Sequence, residues 1–164
     1  MRIIGIDPGS TIIGYGIVEY TNSKFTCIDY GVITNAGRDK SSEYLSTEKA
    51  LSSIMKKYHP DVAAIERLFF FNNQKTALPV SEMRGVLILS LARAGLPIFE
   101  FTPLEIKQGV TGYGRADKTQ IEKMVRIILG IKKTIRPDDA SDALAIAICG
   151  ANNYTPLKVT GNNK

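Results

Sequence analysis

Between residues 2 and 34 the chain carries three strand-like stretches, joined by connections too short to contain a helix. Arg2-Ile3-Ile4-Gly5-Ile6-Asp7 is an apolar run stopped by the turn signal Asp7-Pro8-Gly9. A second strand is expected over Ile12 to Tyr20, lightened by Gly14 and Gly16, and a third over Phe25 to Thr34, after the polar turn Thr21-Asn22-Ser23-Lys24. Strands joined so tightly form an antiparallel meander. The pattern then changes. Leu51, Ile54, Met55 and Tyr58 make a helical stripe that ends at His59-Pro60. Val62–Glu66 reads as a strand, Thr76 to Ala94 as a helix and Ile98–Phe101 as a strand. Asp117 with Gln120 resembles a capping box before the stripe Ile121, Met124, Val125, Ile128, and a last helix is expected from about Asp139 to Gly150. The order is βββαβαβα, with further helices after the last strand. A helical crossover makes Val62–Glu66 parallel to its sheet neighbour. The expected class is α/β, a five-stranded mixed sheet with helices on both faces.

With 164 residues, no internal repeat and no linker, one domain is expected over residues 1–153. Residues 154–164 lack apolar periodicity and read as a mobile tail. The net charge is +5, and all of the excess lies between Leu104 and Arg136, where eight basic residues face three acidic ones. Charge so clustered points to a polyanion rather than a generally solvated surface. His59 is the single histidine and Cys27 and Cys149 stand far apart, which excludes a zinc site of His and Cys ligands. Sparse cysteines and no signal-peptide pattern at Met1-Arg2-Ile3-Ile4 lead to the expectation of a cytoplasmic protein with free thiols. No apolar run approaches the ~20 residues of a membrane span.

Four carboxylates stand out. Asp7 ends the first strand and Glu66 the fourth, and ligands of open α/β sheets bind beyond such ends. If the two strands are neighbours, about 4.8 Å apart, both acids reach one ion. Asp139 and Asp142 share a face of the last helix. Each has an ordinary reading taken singly: a turn, a solvated strand end, a helix N-cap. Asp142 resists that reading, because Ala143-Leu144-Ala145-Ile146-Ala147-Ile148 follows it. Oxygen ligands without His or Cys suit Mg²⁺, with Mn²⁺ able to substitute. Two such ions, about 4 Å apart, can activate water and stabilise the leaving oxygen of a phosphodiester.

Taken together, Gly5-Ile6-Asp7-Pro8-Gly9, Ala64-Ile65-Glu66-Arg67-Leu68-Phe69, Lys107-Gln108, Asp117-Lys118 and Asp139-Ala140-Ser141-Asp142-Ala143-Leu144-Ala145 resemble a RuvC-type Holliday-junction resolvase of the RNase H-like superfamily. The resemblance runs from Arg2 to about Asn153. It implies an endodeoxyribonuclease that resolves four-way DNA junctions by symmetric paired nicks. Asp7, Glu66, Asp139 and Asp142 would hold two metal ions, and some members carry histidine where this chain has Asp139. The resemblance also implies a homodimer, a branch-migration helicase as partner, Lys107 and Lys118 near the cut phosphate, and Phe69 stacked on a base. Arg115, in the basic segment, is a further candidate DNA contact. An apolar wedge such as Phe69-Phe70-Phe71 after a catalytic strand can unstack a base step. Gly112-Tyr113-Gly114 is expected to be a loop that closes on DNA. The helix Thr76–Ala94 is apolar nearly all round through Val86-Leu87-Ile88-Leu89-Ser90-Leu91, which makes it the candidate dimer interface, with Leu87 and Leu91 as positions that could face the mate.

Other classes fit less well. Asp7-Pro8-Gly9-Ser10-Thr11 is similar to the phosphate-facing turn of actin-like and sugar-kinase ATPases, but those need two such domains. A nuclease of the same superfamily acting on RNA or an RNA–DNA hybrid would share the metal chemistry. A non-catalytic DNA-binding relative would be expected to have lost an acid, and all four are present.

Overall fold

The structure, a computed structural model, describes residues 1–35, 37–68 and 74–153. The candidate wedge Phe69-Phe70-Phe71 and the tail 154–164 lie outside the described residues. Strands β1 (Arg2–Asp7), β2 (Ile12–Thr21) and β3 (Lys24–Thr34) form the expected meander. Helix α1 (Lys40–Tyr58) leads to β4 (Val62–Glu66), and α2 (Gln74–Arg93) to β5 (Ile98–Phe101). Three helices follow: α3 (Pro103–Thr111), α4 (Lys118–Leu129) and α5 (Asp138–Asn153).

The sheet order is β3-β2-β1-β4-β5. β1 pairs antiparallel with β2 and parallel with β4, and β4 pairs parallel with β5. The two central strands are buried on both faces, which is why they read as near-continuous apolar runs. Their side chains alternate between two cores. Ile4, Ile6 and Ile65 pack with Leu51 and Met55 of α1 and with Met83, Leu87 and Leu91 of α2. Ile3, Val62 and Ala64 pack under α5, beyond which lie α3 and α4.

Helix starts follow their caps. Asp39, Thr102 and Asp117 each accept a hydrogen bond from the backbone N–H three residues on, and Ser42, Glu105 and Gln120 close the box in return. The Asp117 box is the one the sequence announces. The Thr102 box, with Pro103 opening the helix, begins α3, which hydrophobic periodicity alone did not single out.

Two expectations change. Helix α5 starts at Asp138 rather than Asp139 and runs on to Asn153. Helix α2 keeps an apolar side uncovered, as a dimer contact requires: Leu78 is 70% exposed and Leu89 58% exposed. Leu87 and Leu91 are fully buried against the sheet, so they cannot face a mate. The helical period places them with Met83 on the inward stripe, and the outward stripe carries Leu78 and Leu89. Among the described residues no helix is long and apolar enough to cross a membrane, and both cysteines are free.

Helix α5 lies against the sheet at backbone distance. A Cβ at Gly5 would stand 2.1 Å from the carbonyl oxygen of Ala143, and one at Gly14 would stand 2.0 Å from that of Asp139. A Cβ at Gly16 would stand 2.8 Å from the Leu144 Cδ2 and 2.9 Å from its backbone nitrogen. Small residues on the facing side, Ala140, Ala143 and Ala147, are fully buried. Gly5→Ala should therefore force α5 away from β1 and cost about 1–3 kcal/mol, as overpacking of a tight core does. For a chain of this size each kcal/mol lowers the melting temperature by about 2–4 °C. An unchanged melting temperature would mean that the helix and sheet are not in backbone contact.

Candidate active site

The parallel register pairs Ile6 with Ile65, so the next residues, Asp7 and Glu66, leave the ladder side by side. Both strands point their C-terminal ends to the same edge, where a cleft opens in sheets of this type. Asp7 pairs with Gly14 across the antiparallel side. The space where a Gly14 side chain would stand touches both the Asp7 Cβ, at 3.2 Å, and the Asp139 carbonyl, at 2.0 Å. Gly14 therefore lets the first turn of α5 settle directly over Asp7. Asp139 and Asp142 come with that turn.

The electrostatics record the crowding. Burial pushes the Asp7 carboxyl up to about 8, and Glu66, Asp142 and Asp139 add to the shift in that order; Lys118 opposes it. Glu66 is raised by burial and then by Asp142. Asp142 is raised by burial, against the hydrogen bond and charge of Lys118, while Asp139 and Asp138 push it further up. Lys118 is the counter-charge at hand. Its Nζ lies 3.2 Å from Asp142 Oδ2 and 3.5 Å from Asp138 Oδ2. Burial lowers its pKa, but the two carboxylates outweigh this and hold it above the usual lysine value. The capping box at Asp117 makes Lys118 the first residue of α4, which aims it at the start of α5.

Lys107, on α3, joins Glu66, Lys118 and Asp142 around a cavity of about 200 Å³ floored by Ile106, Ile121 and Ile146. Arg115 is exposed on the segment between α3 and α4, outside that lining. Gly112 caps α3 with a left-handed φ of 71°, and exposed Tyr113 follows it. The fold thus brings together Asp7, Glu66, Asp139, Asp142, Lys118 and Lys107, and leaves Arg115 exposed outside them. Asp138 also joins the site. In the sequence it passes for a cap after Pro137, whereas in the fold it binds Lys118 and Arg136. Three acids within five residues were its only signal.

As they stand, no group of three or more His, Cys, Asp or Glu side chains among the described residues converges closely enough to hold an ion. The chemistry of the set still fits one. Desolvated carboxylates that raise one another's pKa values are short of positive charge, and a hard divalent cation supplies it.

The family model described as crossover junction endodeoxyribonuclease RuvC matches residues 3–150. The chain belongs to the RuvC family. The matched stretch contains all four acids, both lysines and Arg115. A crossover junction endodeoxyribonuclease RuvC from Clostridioides difficile is 51% identical over 163 residues, 99% of this chain and 96% of that protein. One from Caldanaerobacter subterraneus subsp. tengcongensis is 46% identical over 98% of both chains. Among solved structures, Thermus thermophilus RuvC in complex with a Holliday junction substrate matches with a TM-score of 0.85 and 30% identity, covering 92% of this chain and 93% of that one. The yeast mitochondrial Holliday junction resolvase Ydc2, at 17% identity and a TM-score of 0.65, shares the fold. The RuvC family thus accounts for the RNase H-like α/β architecture.

The raised Asp7 carboxyl has a consequence for stability. A folded-state pKa of about 8 against an ordinary 3.8 means the folded chain binds that proton more tightly than the unfolded chain. The contribution is fully present below pH ~4 and is lost as pH rises to about 8. Without divalent metal, Asp7→Asn should melt close to the parent at pH 4 and several degrees above it at pH 8. Equal melting temperatures across that range would show that Asp7 is not crowded by the other acids.

Proposed function

We propose that this chain is a structure-selective endonuclease that resolves four-way DNA junctions in recombination and repair, as a homodimer with two Mg²⁺ ions per active site and Mn²⁺ able to substitute. The observation that carries the reading is Asp7, half-buried at a strand end among Glu66, Asp139 and Asp142, in a chain of the RuvC family. Asp7, Glu66, Asp139 and Asp142 hold the ions. When bound, these supply Lewis-acid charge to the phosphodiester and lower the pKa of a water.

The chain's own residues do the rest. Lys118, which pairs with Asp142, turns to the cut phosphate and stabilises developing charge there. Lys107 and Arg115 hold the flanking backbone, and Phe69 wedges the crossover. Water attacks phosphorus in line and the 3′ oxygen leaves, which gives 5′-phosphate and 3′-hydroxyl ends that ligase joins directly. Paired nicks on two equivalent strands need two equivalent sites, which a C₂ dimer supplies. Exposed Leu78 and Leu89 on α2 support that helix as the contact.

The decisive experiment offers a synthetic four-way junction, a linear duplex and an RNA–DNA hybrid, with and without Mg²⁺. Symmetric, ligatable nicks in the junction alone are expected, and only with the metal. Asp7→Asn should lose cleavage by at least about 10³-fold while still binding the junction, since one acid of such a unit is indispensable. Leu89→Glu should sediment as a monomer and lose paired nicking. Preferential cutting of the hybrid would favour the ribonuclease reading.

Phosphate contacts carry a separate signature. Lys107→Ala should weaken junction binding at every sequence and flatten the slope of log affinity against log salt by roughly one unit. A slope equal to the parent's would remove Lys107 from the DNA contact set.

A further inference from the structure

Glu66 is held from outside the acid cluster. Its strand, β4, ends at this residue, paired with Phe101 of β5, and Arg67 N–H donates to the Phe101 carbonyl at 2.7 Å. Arg84, on α2, reaches across to the same place. Its Nε donates to the Glu66 carbonyl oxygen at 3.1 Å, and its Nη2 pairs with the Glu100 carboxylate of β5. The Arg84 side chain is only 16% exposed. One planar guanidinium therefore ties the last residue of β4, the neighbouring strand and α2 together.

We propose that Arg84 is a positioning residue for the metal-dependent reaction: it fixes the backbone of Glu66, and through it the direction in which the Glu66 carboxylate meets the bound cation. The inference rests on the reading of Glu66 as a metal ligand. Three features make Arg84 suited to this. First, the contact is to the main chain of Glu66, so it does not compete for the carboxylate. Second, Glu66 stands at the open end of β4, where the pairing with β1 has already stopped at Ile65. A strand end without a partner on one side drifts unless something else holds it. Third, a guanidinium offers donors in fixed directions, which lets it satisfy a carbonyl and a carboxylate at once, whereas a lysine ammonium offers a single point charge. A misplacement of the order of 1 Å at a reacting centre costs on the order of 10²-fold in rate.

Arg84 bonds Glu66 and Glu100 and is none of the DNA contacts assigned above, so its loss should separate binding from chemistry. The variants are Arg84→Lys, which keeps the charge facing Glu100, and Arg84→Gln, which removes it. Three quantities decide the matter: junction affinity without divalent metal, single-turnover cleavage at saturating DNA, and Mn²⁺ binding without DNA, followed by the paramagnetic signal of free Mn²⁺. Both variants should bind the junction within about 2-fold of the parent. Cleavage should fall about 10–100-fold, and Mn²⁺ affinity should fall with it. In a Glu66→Gln background, where the carboxylate is gone, the same Arg84 substitutions should leave residual Mn²⁺ binding unchanged. Thermal melting identifies a variant that fails to fold, and Glu100→Gln, which releases one arm of the tie at the surface, then serves in its place with a smaller loss in the same direction.

Parental cleavage and parental Mn²⁺ affinity in both Arg84 variants would overturn the proposal. So would a loss of cleavage matched by an equal loss of junction affinity, which would make Arg84 a DNA contact, and so would an undiminished effect of Arg84 on Mn²⁺ binding in the Glu66→Gln background. If Glu66→Gln alone binds Mn²⁺ as tightly as the parent, the reading of Glu66 as a ligand fails, and that result is distinct from any of these.

Discussion

The close seating of α5 on the central strands is the contact on which the site depends. Three glycines on β1 and β2 leave no side chain between the sheet and the helix backbone, and the facing alanines complete the fit. Interiors this dense do not stretch, so a single added carbon must move a whole element. The same contact carries the chemistry. Two of the four acids belong to the sheet and two to the helix, and the helix–sheet distance sets the distance between the pairs. Ordinary hydrophobic packing would hold α5 near the sheet, but at the greater separation that side chains impose. The glycines replace that separation with backbone contact, and Asp139 comes to lie directly over Asp7.

Bringing acids together in this way works against folding. Asp7 loses water and gains three like-charged neighbours, and its pKa of about 8 expresses both. Lys118 offsets part of the cost at Asp142 and Asp138, but its side chain is 60% exposed, so the pairing is screened and weak. An exposed ion pair of this kind is easily exchanged. The protein thus carries a concentration of negative charge that Lys118 relieves only in part, stabilised by apolar burial elsewhere.

Much of this was visible in the sequence, for identifiable reasons. Asp7-Pro8-Gly9 marks a strand end by turn chemistry, and the run Val62–Glu66 marks another by its length and apolar character, so two of the acids could be placed at strand ends. The spacing of Asp139 and Asp142 puts them on one helical face. The capping box at Asp117 located Lys118 at a helix start. What escaped was α3, whose Thr102–Glu105 box is local and short, and the role of Asp138, which a cap explains equally well. The helix α2 was read as apolar all round, and its period alone did not say which leucines face inward. Leu87 and Leu91 prove to be core, and Leu78 and Leu89 prove to be surface.

The sequence by itself determined the element order, the parallel placement of β4, the identity of the acids and the concentration of basic charge in one third of the chain. These follow from local rules: periodicity, turn residues, caps and the handedness of crossovers. Tertiary structure alone decided how near the acids come to one another, that Lys118 pairs with Asp142 and Asp138, and that Arg84 reaches from α2 to the end of β4. Distances between elements far apart in the chain arise from how their surfaces interlock, and no local rule contains that information. Gly5, Gly14 and Gly16 are in the sequence for anyone to read, but only the folded chain shows that a helix lies where their side chains would have been.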